Sequence, residues 1–261
     1  MAIRIAVSGV CGRMGQTVVR LAGEAGDFEI VGGIDREPST NAYNVPRVDT
    51  IAGAADLIRQ VDVLIDFSAS EATASLIAER RAELNGKAIV IGTTGLGAET
   101  ERALDELARQ TAVLVAANFS VGVNLLLGLV ESAARALGPD QYDVEIVEVH
   151  HRHKADAPSG TAIAIGRAIA AARGVSLDDV RRDGRSGKTG ARPEGEIGFH
   201  ALRGGEIAGD HEVSFIGARE TLALSHHAAG RSIFAEGAIR AARWIAGKPA
   251  GRYTMKDVLG I

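Results

Sequence analysis

Cysteine, aromatic residues and net positive charge are all scarce in this sequence of 261 residues. Its single cysteine, Cys11, excludes an intrachain disulfide and a cysteine-rich zinc site. Aromatic residues are 4% of the chain, which suits small residues packed between helices and a sheet better than an aromatic-rich β-sandwich. The formal net charge of −4 creates no overall field that attracts nucleic acid. Anion binding therefore requires a local cluster of cationic groups.

Long hydrophobic runs are also absent. The longest, Val121 to Val130, contains Asn124 and is too short to cross a bilayer, so it predicts a buried helix. No signal-peptide pattern precedes the first predicted strand, Ile3–Val7. We therefore expect a cytoplasmic protein that has no membrane partner.

Up to about residue 118, short β-branched runs alternate with longer helical patterns. The predicted strands are Ile3–Val7, Glu29–Ile34, Val61–Asp66, Ala88–Ile91 and Val113–Ala116, and the predicted helices are Gly12–Ala25, Ser70–Asn85 and Gly97–Gln110. Strands separated by helices indicate right-handed βαβ crossovers. The pattern therefore predicts an α/β fold with a Rossmann-type, doubly wound parallel sheet.

After Asn118 the pattern changes to that of an α+β domain. Its predicted helices are Asn124–Leu137 and Thr161–Arg173, and its predicted strands are Tyr142–Val149, Ile197–Arg203, His211–Ile216 and Thr221–His227. Gly-containing turns predict that the last three strands run antiparallel. Residues 181–195, charged and glycine-rich, predict a mobile surface loop. A final helix is predicted at Ile233–Ile245.

A glycine-rich turn joins the first predicted strand to the first helix, reading SGVCGRMG from Ser8. Glycines permit a sharp turn and a close approach to a pyrophosphate, which the amides of a helix N-terminus then bind. The G-x-x-G-x-x-G spacing departs from the usual G-x-G-x-x-G, but the order of strand, turn and helix is the required one. The alternative is a purely structural turn. We predict nucleotide binding through Gly9, Val10, Cys11, Gly12, Arg13 and Met14.

Asp35 and Arg36 follow the second predicted strand, where a ribose-reading residue belongs. Asp35 can accept hydrogen bonds from the ribose hydroxyls of NADH, whereas Arg36 can pair with the 2′-phosphate of NADPH. The pair predicts that either cofactor binds, although Arg36 taken alone fits a solvated surface charge equally well.

Two further segments follow the fourth and fifth predicted strands. Ligands of an open α/β sheet lie beyond the carboxyl ends of its strands, so both segments are expected to face the cofactor. Thr93 and Thr94 are placed to orient the nicotinamide amide. The predicted contacts are Gly92, Thr93, Thr94, Ala116, Ala117, Asn118 and Phe119.

The segment from Glu148 to Ala162 reads EVHHRHKADAPSGTA and carries three histidines, an arginine and a lysine at positions 150–154. We call residues 150–154 the basic loop. Pro-Ser-Gly-Thr then opens a helix. Cationic side chains beside a helix N-terminus make a site for carboxylates, which predicts a dianionic substrate. Because neighbours on a strand point to opposite faces, His150 and His151 can reach one ligand only if the strand ends or bulges there.

The basic loop has three other possible interpretations. A solvated surface run is unusual with this many histidines. Metal binding through His150, His151 and His153 is disfavoured because Arg152 and Lys154 would repel a cation and no acidic or cysteine partners are apparent. Nucleic-acid binding is disfavoured by the net charge and the missing aromatic residues. We predict no metal site.

Four segments together resemble the 4-hydroxy-tetrahydrodipicolinate reductase family, long called dihydrodipicolinate reductase, of lysine and diaminopimelate biosynthesis. They are Gly9–Gly15, Gly92–Gly95, Ala116–Asn124 and Glu148–Ala162. The resemblance implies that NADH or NADPH reduces 4-hydroxy-tetrahydrodipicolinate to tetrahydrodipicolinate with loss of water, by hydride transfer from nicotinamide C4 to C4 of the substrate ring. By match to the family motif, His150 and Lys154 transfer protons, while His151, Gly160 and Thr161, with the adjoining Ser159, bind substrate.

The resemblance also implies a domain plan. Residues 1–120 and 230–261 would form the dinucleotide-binding domain, to which the C-terminal helix returns. Residues 121–229 would bind substrate and form a homotetramer through their sheet. Two alternatives remain: another two-domain NAD(P)-dependent dehydrogenase, of the aspartate or homoserine sort, which would not need the basic loop, and a non-catalytic sensor that binds both ligands without oxidising NADH.

Overall fold

The structure is a computed structural model that describes residues 1–37, 39–40 and 44–261. These residues form two compact units, Met1–Val121 with Phe234–Gly260 and Gly122–Ile233 with Ile261. The predicted domain boundaries lay at residues 120 and 230, and the C-terminal segment Phe234–Gly260 is grouped with the first unit. In the described part of the chain, no helix combines the length and hydropathy needed to cross a membrane.

The secondary-structure elements are numbered in chain order. They are β1 (Ile3–Ser8), α1 (Arg13–Ala25), β2 (Phe28–Ile34), β3 (Ser39–Thr40), β4 (Arg47–Asp49), α2 (Ala55–Gln60), β5 (Val63–Asp66), α3 (Ser70–Leu84), β6 (Ala88–Ile91), α4 (Ala98–Leu107), β7 (Ala112–Val115), α5 (Val121–Ala136), β8 (Asp143–His150), α6 (Gly160–Ala172), α7 (Leu177–Val180), β9 (Arg181–Asp183), β10 (Ile197–Arg203), β11 (Asp210–Ile216), β12 (Thr221–His227), α8 (Ser232–Ile245), β13 (Gly251–Tyr253) and α9 (Met255–Leu259).

The first unit is built on one sheet with the strand order β13-β7-β6-β5-β1-β2-β4-β3. All neighbouring strands are parallel except β3 and β4. Its central strands are buried along their whole length because helices cover both faces. Consecutive residues of a strand belong to separate hydrophobic clusters on the two faces of the sheet. Val63 packs in the cluster with α1 and α8, whereas Leu64 packs in the cluster with α2, α3 and α4. The predicted Rossmann-type sheet is confirmed.

The second unit contains a five-stranded mixed sheet with the order β12-β11-β8-β10-β9. Along β8, residues Val144, Ile146, Glu148 and His150 are buried, whereas those between them are half-buried. The buried face packs on α5 and α6 through a cluster that includes Ile146 and Phe215. We call the other face, which carries Val147, Val149, Leu202 and Ile216, the open face. The predicted α+β second domain is confirmed.

The three strands predicted to run antiparallel do alternate in direction, but β10 does not pair with β11. It lies on the other side of β8 and pairs in parallel with β8 and β9, because α6 and α7 lie in the connection and return the chain to the same end of the sheet. The predicted loop 181–195 begins as strand β9. It is also anchored, since Arg185 and Arg192 both donate to the Glu145 carboxylate on β8. The antiparallel pairing of β11 with β12 is confirmed.

Candidate active site

The glycine turn after β1 has a geometry that side chains would obstruct. Gly9 has a φ of +76°, and a Cβ there would lie 2.6 Å from the Phe67 carbonyl oxygen. A Cβ on Gly15 would lie 2.2 Å from the carbonyl oxygen of Gly9. Gly12 precedes α1, whose first turn receives no capping side chain from the described residues. The turn and helix start therefore fit a pyrophosphate, which needs backbone amides and close approach.

A cavity of about 690 Å³ opens beside this turn. Its lining includes the predicted cofactor residues Gly9, Cys11, Gly12, Asp35 and Arg36. Three residues predicted in the glycine turn do not line it, nor do the predicted residues after β6 and β7. Val10 is buried against Gly33, and a Cβ on Gly33 would lie 2.5 Å from the Val10 side chain. Arg13 is exposed and Met14 is half-buried.

Asp35 is tied to the glycine turn. Its carboxylate accepts hydrogen bonds from the Cys11 amide at 2.8 Å and from the Arg36 amide at 2.9 Å. Burial raises the pKa of Asp35, but these hydrogen bonds outweigh it and the pKa lies below its ordinary value. Since a carboxylate has about four acceptor positions, Asp35 holds the turn and keeps acceptor capacity for a ribose.

The segment after β6 rests on a buried carboxylate that was not predicted. Thr93 is 5% exposed and donates to Asp66 at 3.3 Å, and Thr73 donates to the same oxygen at 2.5 Å. Thr94 is exposed. A Cβ on Gly92 would lie 2.2 Å from the Phe67 ring. The sequence feature that could have indicated this role is that Asp66 ends β5, whose other residues are apolar.

The segment after β7 divides between the core and the surface. Phe119 is 1% exposed, and its ring centroid lies 5.6 Å from that of Phe67. Its side chain is thus part of the core, which limits a cofactor contact there to the backbone. Ala116 and Asn118 are half-buried, Ala117 is exposed, and the Asn118 side chain accepts a hydrogen bond from the Ser120 amide.

In the second unit, β8 ends at His150. The sequence predicted an end or a bulge here, because His150 and His151 could not otherwise reach one ligand. His150 is 8% exposed and its Nδ1 lies 2.6 Å from Oε2 of Glu148. On its other side, Nε2 lies near Gly209, where a Cβ would approach it to 2.8 Å. The glycine at position 209 therefore gives the imidazole room at its outer nitrogen.

Glu148 binds several parts of this site together. It is 1% exposed and accepts from both terminal nitrogens of Arg203 at 2.7 Å and from the Ser159 amide at 3.0 Å. Burial raises the pKa of Glu148, but the hydrogen bonds from Arg203 and His150 hold it below its ordinary value. Arg203 was not predicted as a site residue, because its pairing with Glu148 depends on the parallel register of β8 and β10.

A second unpredicted residue, His211, lies against His150 with its ring edge-on at 5.3 Å. Its Nε2 is 3.0 Å from the Ser159 hydroxyl. Burial, with the neighbouring His150, lowers the pKa of His211 to about 4. His211 is therefore neutral at physiological pH. Ser159 also accepts from the Ala162 amide and caps α6, which confirms the predicted helix start.

The remaining cations of the basic loop differ in exposure. His151 and Lys154 are half-buried, whereas Arg152 and His153 are exposed. Lys154 donates to both carboxylate oxygens of Asp156, at 2.8 and 2.9 Å, and this contact lowers the pKa of Asp156. Gly160 and Thr161 form the first turn of α6. Among the described residues, no three His, Cys, Asp or Glu side chains are grouped so as to hold a metal ion.

A nucleotide-binding unit of Rossmann type and a second unit with a buried histidine beside basic side chains define a class of two-unit dehydrogenases and reductases. Two family models match the chain. "Dihydrodipicolinate reductase, N-terminus" matches residues 3–119, and "Dihydrodipicolinate reductase, C-terminus" matches residues 122–259. The chain belongs to the dihydrodipicolinate reductase family.

Individual proteins agree with this assignment. The chain is 47% identical to a 4-hydroxy-tetrahydrodipicolinate reductase from Parvibaculum lavamentivorans, over 99% of this chain and 98% of the relative. It is 45% identical to the enzyme of the same name from Alkalilimnicola ehrlichii, over the full length of both. Family membership makes the chain an NAD(P)H-dependent oxidoreductase with a role in lysine biosynthesis.

Solved structures agree on the fold. A dipicolinate-bound dihydrodipicolinate reductase from Paenisporosarcina sp. TG-14 has a TM-score of 0.78 at 24% identity, covering 97% of this chain and 98% of that one. Aspartate dehydrogenase from Thermotoga maritima has a TM-score of 0.51 at 16% identity, covering 95% and 98%. The alternative dehydrogenase of the aspartate sort therefore shares the fold, while the family match separates it from this chain.

Proposed function

We propose that this chain reduces 4-hydroxy-tetrahydrodipicolinate to tetrahydrodipicolinate with loss of water, using NADH or NADPH. The observation that carries the proposal is the buried His150, held by Glu148 at the end of β8 and followed by a half-buried lysine and a helix N-terminus. The names of the relatives support the substrate. The Paenisporosarcina protein, whose structure holds dipicolinate, supports a cyclic dicarboxylate.

The first unit would hold the cofactor. Glycine-turn amides would bind the pyrophosphate, Asp35 the adenosine ribose, and Arg36 a 2′-phosphate when one is present. Backbone and hydroxyl groups of the segments after β6 and β7, including Thr93, would orient the nicotinamide ring. The bound cofactor supplies a hydride to C4 of the substrate ring.

The second unit would bind the dianionic substrate. The amides of Gly160 and Thr161 at the start of α6 would bind one carboxylate, together with the partial positive charge of the helix. Lys154 and His151 would bind a carboxylate through charge-assisted hydrogen bonds. In this structure the Lys154 ammonium donates to the Asp156 carboxylate. A substrate carboxylate would therefore replace the Asp156 carboxylate as the acceptor.

Proton transfer would fall to His150 and Lys154. Reduction of the conjugated imine leaves an electron-rich enamine carbon that must gain a proton. Because Nδ1 of His150 contacts Glu148, Nε2 is the ring atom that would deliver it. Elimination of water takes one proton from the ring and gives one to the leaving hydroxyl, so the reaction takes up one proton overall. Lys154, near the substrate carboxylate, would share the delivery of that proton with His150.

We also propose that the protein is a cytoplasmic homotetramer assembled through the open face.

The test follows NADH absorbance with freshly prepared 4-hydroxy-tetrahydrodipicolinate. The wild-type protein should oxidise NADH only when substrate is present. His150→Ala and Lys154→Ala should each lower kcat by about 100-fold to 10,000-fold, the usual contribution of general acid–base catalysis, with an unchanged Kd for NADH.

His153→Ala is the matched control, because His153 lies in the same loop but is exposed. It should keep kcat within about twofold, well below the loss expected for a general acid. Normal turnover by both His150→Ala and Lys154→Ala would reject the assigned roles. Binding of both ligands without NADH oxidation would instead support a non-catalytic sensor.

A further inference from the structure

Glu148 is the hub of a buried polar network that joins three strands and a helix. Arg203 reaches it from β10, His150 from its own strand β8, and the Ser159 amide from the residue that caps α6. Ser159 extends the network to His211 on β11. Arg203 also donates to the Asp156 carbonyl oxygen at 2.7 Å, which ties the network to the residues that follow the basic loop.

The carboxylate of Glu148 has no acceptor position to spare. Oε1 accepts from Ser159 and from one nitrogen of Arg203, while Oε2 faces His150 and accepts from the other nitrogen. A carboxylate offers about four acceptor positions and donates nothing when ionised. Nδ1 of His150 must therefore carry the proton of their contact. This leaves Nε2 as the nitrogen that gains or loses a proton.

We propose that Glu148 is a positioning residue for the reduction: it fixes the tautomer and ring orientation of His150 and, through the Ser159 amide, the start of α6 that receives the substrate carboxylate. The inference rests on the proposed roles of His150 and of the α6 N-terminus. One carboxylate thereby sets the proton donor and the anion-binding turn relative to each other. Arg203 compensates its charge, so that the carboxylate orients the imidazole while remaining buried.

The test compares the pH dependence of kcat for wild type and Glu148→Gln. In the described part of the chain, the charged and titratable groups linked to His150 are Glu148 at its Nδ1, Arg203 through Glu148, and His211 at its ring edge. Loss of the carboxylate removes a partner that favours the imidazolium, so the basic limb of the profile should move to lower pH. The maximal kcat should fall by about 10- to 100-fold, as for other partners of catalytic imidazoles, with the Kd for NADH unchanged.

Two variants separate positioning from simple structural support. Glu148→Asp keeps the charge and should return the basic limb toward its wild-type pH. Glu145→Gln is the matched control, because Glu145 lies on the opposite face of β8 and also accepts from arginines and a histidine. It should lower the melting temperature without moving the pH profile. If Glu148→Gln likewise lowers the melting temperature but leaves kcat and the profile unchanged, the positioning role is overturned.

If Glu148→Gln does not fold, Arg203→Lys replaces it. This change weakens the pairing of the Glu148 charge with Arg203 and should move the basic limb of the kcat profile to higher pH. A basic limb at the wild-type pH would overturn the proposal. Nitrogen-15 NMR of histidine-labelled protein, with His150 assigned by substitution, provides a readout without turnover. Neutral His150 should be protonated at Nδ1 in wild type and should become a mixture in Glu148→Gln. Absence of turnover in wild type would reject the proposed function while this tautomer measurement still tests Glu148.

Discussion

Single side chains in this protein acquire their properties from partners distant in sequence. Asp35 accepts from the Cys11 amide, 24 positions away along the chain. His211 lies 52 positions from the serine whose hydroxyl it contacts. The residue types follow from the sequence, but their charge states follow from these contacts.

Arg36 is predicted to discriminate between the two cofactors. Its replacement by alanine should weaken NADPH by about 10- to 100-fold, since it removes a hydrogen bond between charged groups worth about 1.5–3 kcal/mol. NADH, which lacks the 2′-phosphate, should change little. The measurement is the KM for each cofactor, with Arg20→Ala as control because Arg20 is exposed and pairs with Glu24. Equal losses for both cofactors would exclude Arg36 as the phosphate partner.

His211 should make the folded state sensitive to acid. Its pKa is about 4 when folded against an ordinary value of 6.5, so the unfolded chain binds a proton first as the pH falls. Stability is therefore fully present above pH 6.5 and is lost progressively down to about pH 4. Between pH 7 and pH 5 this one group should reduce the free energy of unfolding by about 2 kcal/mol.

Urea unfolding at both pH values measures this effect. His211→Gln should remove that part of the pH dependence, whereas His153→Gln, at an exposed position, should retain it. A His211→Gln profile that still falls as steeply as that of wild type would assign the acid sensitivity to other groups.

At the scale of elements, the glycine turn and α1 depend on one close backbone contact. Gly15→Ala should push the helix start away from the turn, because its Cβ would lie 2.2 Å from the Gly9 carbonyl oxygen. We expect destabilisation of about 1–3 kcal/mol and a raised Kd for NADH. Gly23, in the same helix, has open space around it. Gly23→Ala should be neutral or stabilise by about 0.5–1 kcal/mol. Similar effects of both changes on NADH binding would contradict the role of the turn.

Elements with a strong period were predictable, and those set by pairing were not. The strands buried on both faces, such as β5 and β6, stand out as apolar runs. The position of β10 beside β8, and not beside β11, was not predicted, because it depends on the path of the preceding helices. The segment after Asp183 reads as a loop, since nothing local reveals that Arg185 and Arg192 will find Glu145.

At the scale of the whole molecule, the open face is the surface proposed for assembly. Leu202 is 49% exposed there. Light scattering should give a mass near four chains of 27.1 kDa. Leu202→Asp should reduce that mass, because assembly would then bury an aspartate charge in each contact between open faces.

Val175→Asp is the control, since Val175 is comparably exposed but lies between α6 and α7, outside the strands. It should leave the mass unchanged. A wild-type mass of 27.1 kDa would overturn the proposed tetramer.

The sequence by itself determined the order of strands and helices, the glycine turn and the basic loop, because these depend on local periodicity and on adjacent residue types. It also predicted that the strand ends at His150, since neighbouring side chains on a strand diverge. Tertiary structure alone decided that Glu148, Arg203 and His211 surround that histidine. Their meeting depends on strand register and burial, which bring together residues that no local pattern connects.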